Sequence, residues 1–332
     1  MKFAIIGGGG GHFGYTLNAA KADSSLKLCG IAPGASESIE KLAASVKSAG
    51  FNVPSYATWQ ELLEKEQPDI AVLCPEYNLL APLSCEMLER GIHVYSEKPC
   101  ALNIEWLDKL IEAEKKSSAK YLAMFTYYYQ PSFKKAYDIV KSGAIGEVRL
   151  LSTQKSYKFG SARPEFYRKK ETYGSTILWV GIHAINWIHW FAGAAFESTF
   201  ARSTTVANRG YDEMDMTDVV SYRLSGDIFA TVTSDYLNHP SHPIHGDDRL
   251  HIAGTKGTID VFPDKVVLYS DDFSGEVPFD KTDKNIFAEF IRFINGEEIR
   301  FSTKDCFDIT RAAIYAEQSA NESREIVWHK EK

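Results

Sequence analysis

The sequence lacks a net positive charge, a cysteine pairing pattern and a long hydrophobic segment. Its 37 Lys and Arg residues are outnumbered by 44 Asp and Glu, which gives a formal net charge of −7. An acidic chain lacks the attraction for phosphodiester backbones that nucleic-acid-binding proteins use, so we expect no nucleic-acid partner. Backbone amides can still bind an anion locally without any side-chain charge.

Five cysteines occur, and no two of them form a Cys-x-x-Cys pair. An odd number without ligand spacing indicates reduced, mostly buried thiols in a cytoplasmic protein. The first apolar segment, Phe3 to Ile6, is too short for a secretory signal. No apolar run approaches the roughly 20 residues of a membrane span, so we expect no membrane partner.

The length of 332 residues suffices for two domains of roughly 150 residues each. In the first third, short apolar runs alternate with helical patterns such as the one opened by the Thr58–Glu61 capping box, which predicts a doubly wound parallel sheet. After about Tyr127, strands and short loops such as 225–227 favour antiparallel hairpins. We predict an α/β Rossmann domain over 1–122 and an α+β domain with a large open, mostly antiparallel sheet over 123–332. Without a flexible linker, the two should share an interface and a cleft.

A run of glycines follows the first predicted strand directly. Glycines at 7–11 and at 14 allow the close backbone approach and the helix N-terminus that a pyrophosphate needs, because glycine has no Cβ. Two registers of the Gly-x-Gly-x-x-Gly pattern remain open, one starting at Gly7 with His12 at the third glycine position, the other starting at Gly9. A purely structural turn is the alternative, but its position after an N-terminal strand favours a dinucleotide site.

The second predicted strand, Leu26 to Ala32, ends without the acid that holds ribose hydroxyls in many dinucleotide sites. The first acid after it is Glu37. Because an acid at the strand end would repel a 2′-phosphate, its absence favours NADP over NAD slightly. No arginine lies there to bind that phosphate, so NAD and NADP both remain open.

Glu97-Lys98-Pro99 follows a predicted buried strand, His93 to Ser96. A lysine at the carboxyl end of a parallel strand faces the crevice where ligands bind in open α/β sheets. Beside a nicotinamide it could exchange a proton with a substrate oxygen, since partial burial lowers the pKa of an ammonium group. The alternative is a surface lysine at the end of a strand.

Taken with three later segments, these residues resemble the Gfo/Idh/MocA oxidoreductase family, which includes glucose–fructose oxidoreductase and inositol dehydrogenase. The segments are 141–148 (KSGAIGEV), 181–185 (GIHAI) and 253–258 (AGTKGT). The resemblance covers nearly the whole chain in the family's order. It implies a Rossmann domain, a second domain with a large open sheet, and NAD(P)-dependent oxidation of a hydroxyl on a sugar or cyclitol. It also implies a homo-oligomer, a dimer or tetramer.

The glycine turn and the resemblance together assign the expected site residues. Lys98 would donate or accept the substrate proton, with His183 assisting. The residues expected to bind the cofactor are Gly7, Gly9, Gly10, Gly11, His12, Phe13, Gly14, Pro75, Glu97 and Lys98. We expect no metal at this site. Lys98 and His183, from separate domains, should converge beside the cofactor.

The segment from Tyr173 to His183 resembles the family segment that supplies an Asp and, four residues later, a His. The His is His183, but the Asp position is Trp179 and the later acidic position is Asn186. Residues four apart share a helix face, so His183 lacks that carboxylate neighbour and Lys98 would carry more of the proton transfer. Trp179 could instead stack on a sugar ring. The apolar neighbours of His183 leave open a core histidine.

Three further positions are candidates for substrate binding. Tyr127 and Tyr128 end the last Rossmann-side strand, where family members often carry Arg or Asn, and Arg168 lies in a basic, aromatic segment. A separate cluster, His239, His242 and His245, has residue types that bind transition metals. The prolines between these histidines favour a polar loop instead.

Two classes of function follow from these observations. The first is an NAD(P)-dependent dehydrogenase acting on a secondary alcohol or carbonyl of a carbohydrate-like substrate. The second is a dinucleotide-binding sensor or regulator of the same fold, which the missing acids at position 179 and after the second strand would favour. Retention of Lys98 and His183 favours the dehydrogenase.

Overall fold

The computed structural model describes residues 1–9, 12–35, 37–280 and 285–328. The chain forms two compact units. The first comprises Met1–Met124, Glu171–Tyr173 and Asn285–Phe307, and the second comprises Phe125–Lys170, Gly174–Lys284 and Asp308–Lys332. In the described ranges, no helix combines the length and the apolar character needed to span a bilayer.

Strands and helices alternate in the first third of the chain, as the sequence predicts. The strands are β1 (Lys2–Ile6), β2 (Lys27–Ala32), β3 (Ile70–Leu73), β4 (His93–Ser96), β5 (Tyr121–Ala123), β6 (Val148–Tyr157), β7 (Phe196–Thr204), β8 (Thr217–Leu224), β9 (Ile228–Asp235), β10 (Gly246–Gly254), β11 (Gly257–Val261), β12 (Val266–Ser270), β13 (Ser274–Glu276) and β14 (Ile326–Val327). The α-helices are α1 (Gly14–Ala22), α2 (Ile39–Ser48), α3 (Trp59–Glu66), α4 (Leu80–Glu89), α5 (Ile104–Lys116), α6 (Pro131–Lys141), α7 (Lys170–Tyr173), α8 (Ile182–Ala192), α9 (Ile286–Ile294) and α10 (Thr303–Glu322).

The first unit is built on a five-stranded parallel sheet in the order β2-β1-β3-β4-β5. This confirms the predicted doubly wound sheet. β2 and β3 pair with opposite sides of β1, so the winding direction reverses there. In open α/β sheets, ligands bind outside the carboxyl ends of the strands at such a reversal. The glycine turn leaves β1 at this point.

Helix α9 packs against the sheet of the first unit. The ring of Phe287 lies 5.6 Å from that of Phe3 and 5.1 Å from that of Tyr95, measured between centroids, and Phe290 lies 5.2 Å from Tyr95. The sequence interpretation assigned this helix to the second domain. A terminal apolar helix can join either core, and local periodicity does not say which one it covers. The boundary near residue 122 stays a prediction.

The second unit contains a nine-stranded sheet in the order β13-β12-β11-β10-β6-β9-β8-β7-β14. All neighbouring strands pair antiparallel except β6 and β9, which are parallel. This confirms the large, mostly antiparallel sheet. Buried and exposed residues alternate along β8 and β9, so one face is covered and the other is open. The hydroxyl of Tyr222 on β8 donates to the Ala312 carbonyl of α10 at 3.0 Å.

Candidate cofactor and substrate sites

The turn after β1 depends on glycine at position 7. Gly7 has a φ of +84°, and a Cβ there would lie 2.5 Å from the Pro75 nitrogen and 2.6 Å from the Cys74 carbonyl carbon. Any other residue would therefore clash with the segment just after β3 and strain the backbone. The first glycine of a dinucleotide-binding turn is required for the same reason, a tight turn that other residues cannot adopt. The geometry at Gly7 therefore suits the register that starts there.

The turn leads into helix α1. Within the described residues 12–22, no side chain caps the N-terminus of this helix and no acid lies in its first turn. An open helix N-terminus without a carboxylate attracts anions through its amides and its dipole. Phe13 is buried at the N-cap, and a Cβ on Gly14 would meet no heavy atom within 4 Å in the described residues. Gly10 and Gly11 lie outside the described residues. The described part of the turn fits a pyrophosphate.

Pro75 and Glu37 border the same turn. Cβ atoms built on Gly7 or Gly34 would both overlap Pro75. The Glu37 carboxylate accepts hydrogen bonds from the Ala35 amide at 2.9 Å and from the Gly8 amide at 3.3 Å. An acid therefore lies beside the glycine turn, although in the sequence it does not directly follow β2.

His12 connects the glycine turn to the segment after β4. Its Nδ1 forms an ion pair with Oε1 of Glu97, whose side chain is fully buried. Burial raises the pKa of Glu97, but His12 and Lys98 outweigh it and hold the pKa below its usual value. A buried carboxylate is tolerated only when paired and hydrogen-bonded. His12 and Glu97 thus fix the turn and the Glu-Lys-Pro segment to each other.

Lys98 directly follows this carboxylate at the carboxyl end of β4. Its backbone amide donates to Oε2 of Glu97 at 3.2 Å, its peptide bond to Pro99 is cis, and its side chain is fully buried. The interpretation as a surface lysine is therefore wrong. A buried lysine that follows a carboxylate in contact with the glycine turn has the chemistry for proton exchange with a ligand oxygen.

In the second unit, His183 follows a π-helical turn. Residues Ile177–Gly181 form this turn and lead directly into α8. Single π-turns are rare and occur frequently at functional sites. His183 is 3% exposed, and its ring packs edge-on against Tyr127 with centroids 5.1 Å apart. The sequence pattern did not predict the π-turn. The apolar residues around His183 are compatible with a π-turn and with an α-helix alike.

Tyr127 belongs to a group of three polar side chains that bond to one another. Lys155 and Asp248 lie opposite each other in the β6–β10 pairing, and their Nζ and Oδ1 atoms are 2.6 Å apart. The Tyr127 hydroxyl donates to Oδ2 of Asp248 at 2.5 Å and accepts a hydrogen bond from Lys155. Lys155 and Asp248 are only 1% and 5% exposed. Each member of the group thus bonds to the other two.

Aromatic rings surround the ammonium of this group. Nζ of Lys155 lies 4.5 Å from the Tyr127 ring centroid, 4.7 Å from Tyr157 and 5.6 Å from Trp187. Burial lowers the pKa of Lys155 to about 8, although Asp248 opposes that shift. Ring faces attract cations, so the lysine is held by rings and by a carboxylate together.

Sequence reasoning missed Lys155 and considered Asp248 only beside the three histidines as a possible metal ligand, although the strand pattern carried a signal for their pairing. Leu151, Thr153 and Lys155 alternate on the buried face of β6, and Asp248 precedes the buried Leu250 on β10. A charge at an inward strand position needs a partner. Two such positions in one domain predict a pair, but the register that joins them is not local information.

The remaining candidates have varied surroundings. Tyr128 is buried against Trp190 at 4.4 Å between centroids, and Trp179 is buried in the π-turn. The Arg168 guanidinium bonds to Glu165 at 2.7 Å and to the Gly210 carbonyl at 2.6 Å.

The three-histidine loop is polar, and its rings have separate partners. Nδ1 of His239 bonds to the Ser241 hydroxyl at 2.6 Å, and Nδ1 of His242 to the Ile244 carbonyl at 3.1 Å. The His245 ring packs on Tyr157 at 4.7 Å. Across the ranges described above, no group of three or more His, Cys, Asp or Glu side chains is arranged to hold a metal ion.

Two family models match the chain. The first, described as the oxidoreductase family with an NAD-binding Rossmann fold, matches residues 1–125. The second, the Gfo/Idh/MocA C-terminal domain, matches residues 133–260. The two matches follow each other along the chain and together span most of it.

Relatives and solved structures agree with these matches. A Thermotoga maritima protein described as an oxidoreductase is 38% identical, with a TM-score of 0.94 over 99% of this chain and 100% of its own. The aldose-aldose oxidoreductase of Caulobacter crescentus is 19% identical, with a TM-score of 0.83 over 99% of each chain, which shows the fold alone. The myo-inositol 2-dehydrogenase of Thermotoga maritima is 24% identical over 213 residues, 64% of this chain. The chain spans 61% of that curated relative's length.

The parallel sheet, its glycine turn and the matched models define an oxidoreductase with an NAD-binding Rossmann fold. The chain belongs to the Gfo/Idh/MocA family.

Proposed function

We propose that the chain is an NAD(P)-dependent dehydrogenase that acts on a secondary alcohol or carbonyl of a sugar- or cyclitol-like substrate. One observation carries this proposal: the buried Lys98 follows a carboxylate that is ion-paired to the glycine turn. This contact supports a proton-transfer role for Lys98 beside a dinucleotide bound at the turn. When bound, a nicotinamide supplies the hydride chemistry, and the protein supplies positioning and proton management.

The residues of the turn would hold the dinucleotide. The cradle consists of Gly7, Gly9, Gly10, Gly11, His12, Phe13 and Gly14, bordered by Pro75, Glu97 and Lys98. The close approach at Gly7 and the uncapped start of α1 support this assignment. The contact between His12 and Glu97 would hold that carboxylate beside the turn rather than leave it facing the pyrophosphate.

Lys98 is proposed to take the proton from the substrate hydroxyl during oxidation and to return it during reduction. His183 assists, and its position in the first turn of α8, which follows a π-turn, supports a functional role. Tyr127, Tyr128, Trp179 and Arg168 are proposed to bind substrate. Tyr127 has the strongest support because it is partly exposed and contacts His183. Arg168 has the weakest, because its guanidinium is bound elsewhere.

The choice between NAD and NADP rests on the end of β2. The sequence favours NADP slightly, because no acid directly follows the strand. The Glu37 carboxylate, which accepts from the Gly8 amide, opposes a 2′-phosphate and supports NAD. Measuring the dissociation constants of NADH and NADPH separately decides the question. If Glu37 discriminates between the two cofactors, Glu37→Ala should reduce the difference between these two constants.

The substrate class rests on the names of related proteins. A myo-inositol dehydrogenase and an aldose-aldose oxidoreductase are among them. The aromatic surroundings of Tyr127 support a ring-shaped polyol, since aromatic faces pack on the apolar faces of sugars. A homo-oligomer, a cytoplasmic location, and the division into 1–122 for the dinucleotide and 123–332 for substrate and assembly belong to the same proposal.

A titration followed by a turnover screen tests the proposal. NADH and NADPH fluorescence titrations measure binding, and nicotinamide absorbance then reports turnover on myo-inositol, aldoses and linear polyols. The proposal predicts binding and turnover of at least one member. Cofactor binding without turnover of any compound in the screen would favour the alternative function, a dinucleotide-binding sensor. Trp179 at the family's Asp position supports that alternative. Failure to bind either dinucleotide would contradict both.

A further inference from the structure

The group formed by Tyr127, Lys155 and Asp248 contains two buried charges that the proposed mechanism does not use. We propose that Lys155 and Asp248 are positioning residues that hold the Tyr127 hydroxyl as a hydrogen-bond acceptor for one hydroxyl group of the substrate. The inference rests on the proposed dehydrogenase function and narrows its substrate class. The site selects a hydroxyl, rather than a carbonyl or a deoxy carbon, at the substrate position that faces Tyr127.

The pairing of Lys155 with Asp248 comes from the sheet itself. The two residues are direct partners in the antiparallel β6–β10 register, and both point to the covered face. Their ion pair is 2.6 Å long and almost fully buried. A buried ion pair adds little stability compared with apolar residues of similar size. The ion pair is therefore expected to have a role beyond stability. Both of its members bond to the Tyr127 hydroxyl.

The hydrogen bonds fix the polarity of the Tyr127 hydroxyl. A phenol has one proton and can also accept. Tyr127 donates that proton to Oδ2 of Asp248 at 2.5 Å, while its oxygen accepts from Lys155. Towards a ligand the oxygen can then act only as an acceptor. A substrate hydroxyl satisfies it, whereas a carbonyl oxygen would place two acceptors against each other.

The ring of Tyr127 is held as firmly as its hydroxyl. Its centroid lies 5.3 Å from Phe133, 5.1 Å from Trp187 and 5.1 Å from His183, all in edge-on geometry. Tyr127 is nevertheless partly exposed. A preorganised side chain that contacts the proposed assisting histidine and remains accessible is suited to orienting a substrate.

A double-mutant cycle separates positioning from a structural role. Tyr127→Phe removes the hydroxyl and keeps the ring, so KM for the polyol should rise about 10- to 100-fold. kcat should change less, and the NADH dissociation constant should not change. Asp248→Asn should raise KM similarly in the wild-type background and have no further effect in the Tyr127→Phe background, because it acts through that hydroxyl.

The control for losing a buried phenol is Tyr222→Phe, whose hydroxyl bonds to a backbone carbonyl of α10. It should leave KM unchanged. Because Asp248→Asn leaves Lys155 without its counter-charge, the neutral pair Lys155→Gln/Asp248→Asn is measured beside it with thermal melts. Folded protein with raised KM in either variant supports the inference.

Myo-inositol, D-glucose and glycerol serve as probes. Wild-type turnover combined with an unchanged KM for Tyr127→Phe, or with additive effects of Tyr127→Phe and Asp248→Asn, would overturn the positioning role while leaving the dehydrogenase intact. No turnover of the wild type on any polyol or sugar would instead overturn the proposed function and this inference with it. A non-additive rise in KM establishes the role of both residues.

Discussion

The imidazole of His12, in the glycine turn, is ion-paired with the buried carboxylate of Glu97, the residue that precedes Lys98. This contact joins two segments that are 85 positions apart in the chain, 97 minus 12. Because Glu97 is fully buried and its pKa is held below the usual value, the carboxylate stays ionised and needs its partner. His12 therefore links the nucleotide cradle to the proposed proton-transfer group.

Replacing His12 with alanine should damage stability and cofactor binding together. The Glu97 charge would lose a partner beside the proposed pyrophosphate position, at a cost of about 1–3 kcal/mol in unfolding free energy. Repulsion of the pyrophosphate should raise the NADH dissociation constant about tenfold or more. Thermal melts and fluorescence titration measure the two effects.

The matched control is His251→Ala, which breaks the ion pair between His251 and Asp260. The His251 side chain is 40% exposed. An exposed pair contributes about 1 kcal/mol or less. NADH affinity should be unchanged. If His12→Ala bound NADH as tightly as the wild type, the coupling between turn and carboxylate would be wrong.

Gly7→Ala should disrupt the turn itself. The new Cβ would overlap Cys74 and Pro75, just after β3, at 2.5–2.6 Å, and a φ of +84° is strained for alanine. We expect a loss of about 2 kcal/mol or more in unfolding free energy and loss of measurable NADH binding. Gly50→Ala has a similar φ of +89° but meets nothing within 4 Å in the described residues. Gly50→Ala should lose only the stability that backbone strain costs and should bind NADH as the wild type does. If the two variants lost equal stability and equal NADH affinity, the overlap at Cys74 and Pro75 would not explain the effect of Gly7→Ala.

Glu317 on α10 should make stability depend on pH. Burial raises its pKa to about 7, aided by Asp215 and opposed by Lys170 and Ser175. Between its ordinary value near 4.5 and 7, the folded state holds a proton that the unfolded state has lost. Its contribution to stability is thus fully present below pH 4.5 and is lost as the pH rises through 7.

Glu317→Gln removes this titration. The unfolding free energy of the variant relative to wild type should increase by up to about 3 kcal/mol as the pH rises from roughly 4.5 to 7.5. Denaturant unfolding at several pH values measures the difference. Glu105→Gln, an exposed residue paired with Lys109, provides the control with no such rise. A flat difference for Glu317→Gln would show that this carboxyl titrates normally.

The open face of the large sheet should carry the subunit contact. Leu150 and Phe229, register partners in β6 and β9, are 42% and 51% exposed. Adjacent exposed apolar side chains favour protein association. Phe229→Glu should lower the mass measured by light scattering, whereas Val206→Glu, in a turn after β7, should not. A wild-type monomer would contradict the expected oligomer.

Local chemistry predicted the local structure. The Thr58 side chain accepts from the Glu61 amide at 3.2 Å, which confirms Thr58 as the N-cap of α3. β6 spans Val148–Tyr157, the range its alternation predicts, and the 225–227 turn joins two antiparallel strands. These features depend on neighbouring residues, which is why periodicity and turn chemistry reveal them.

Long-range pairings were not accessible in the same way. The parallel β6–β9 pair, the packing of α9 in the first unit and the opposition of Lys155 and Asp248 join segments far apart in sequence. Strand register depends on the whole sheet, and a shift of one residue would move Lys155 to the other face. The resemblance pointed to Lys98 and His183, while the group around Tyr127 became visible only with the register.

The central claim is that Lys98 exchanges the substrate proton, and Lys98→Met tests it most directly. Methionine keeps the length and the apolar stem but removes the ammonium. On the best polyol or sugar of the screen, we predict an NADH dissociation constant within about twofold of wild type and a fall in kcat of about 100-fold or more. Turnover that survives at the wild-type rate, with the variant folded and saturated with cofactor, would contradict the account.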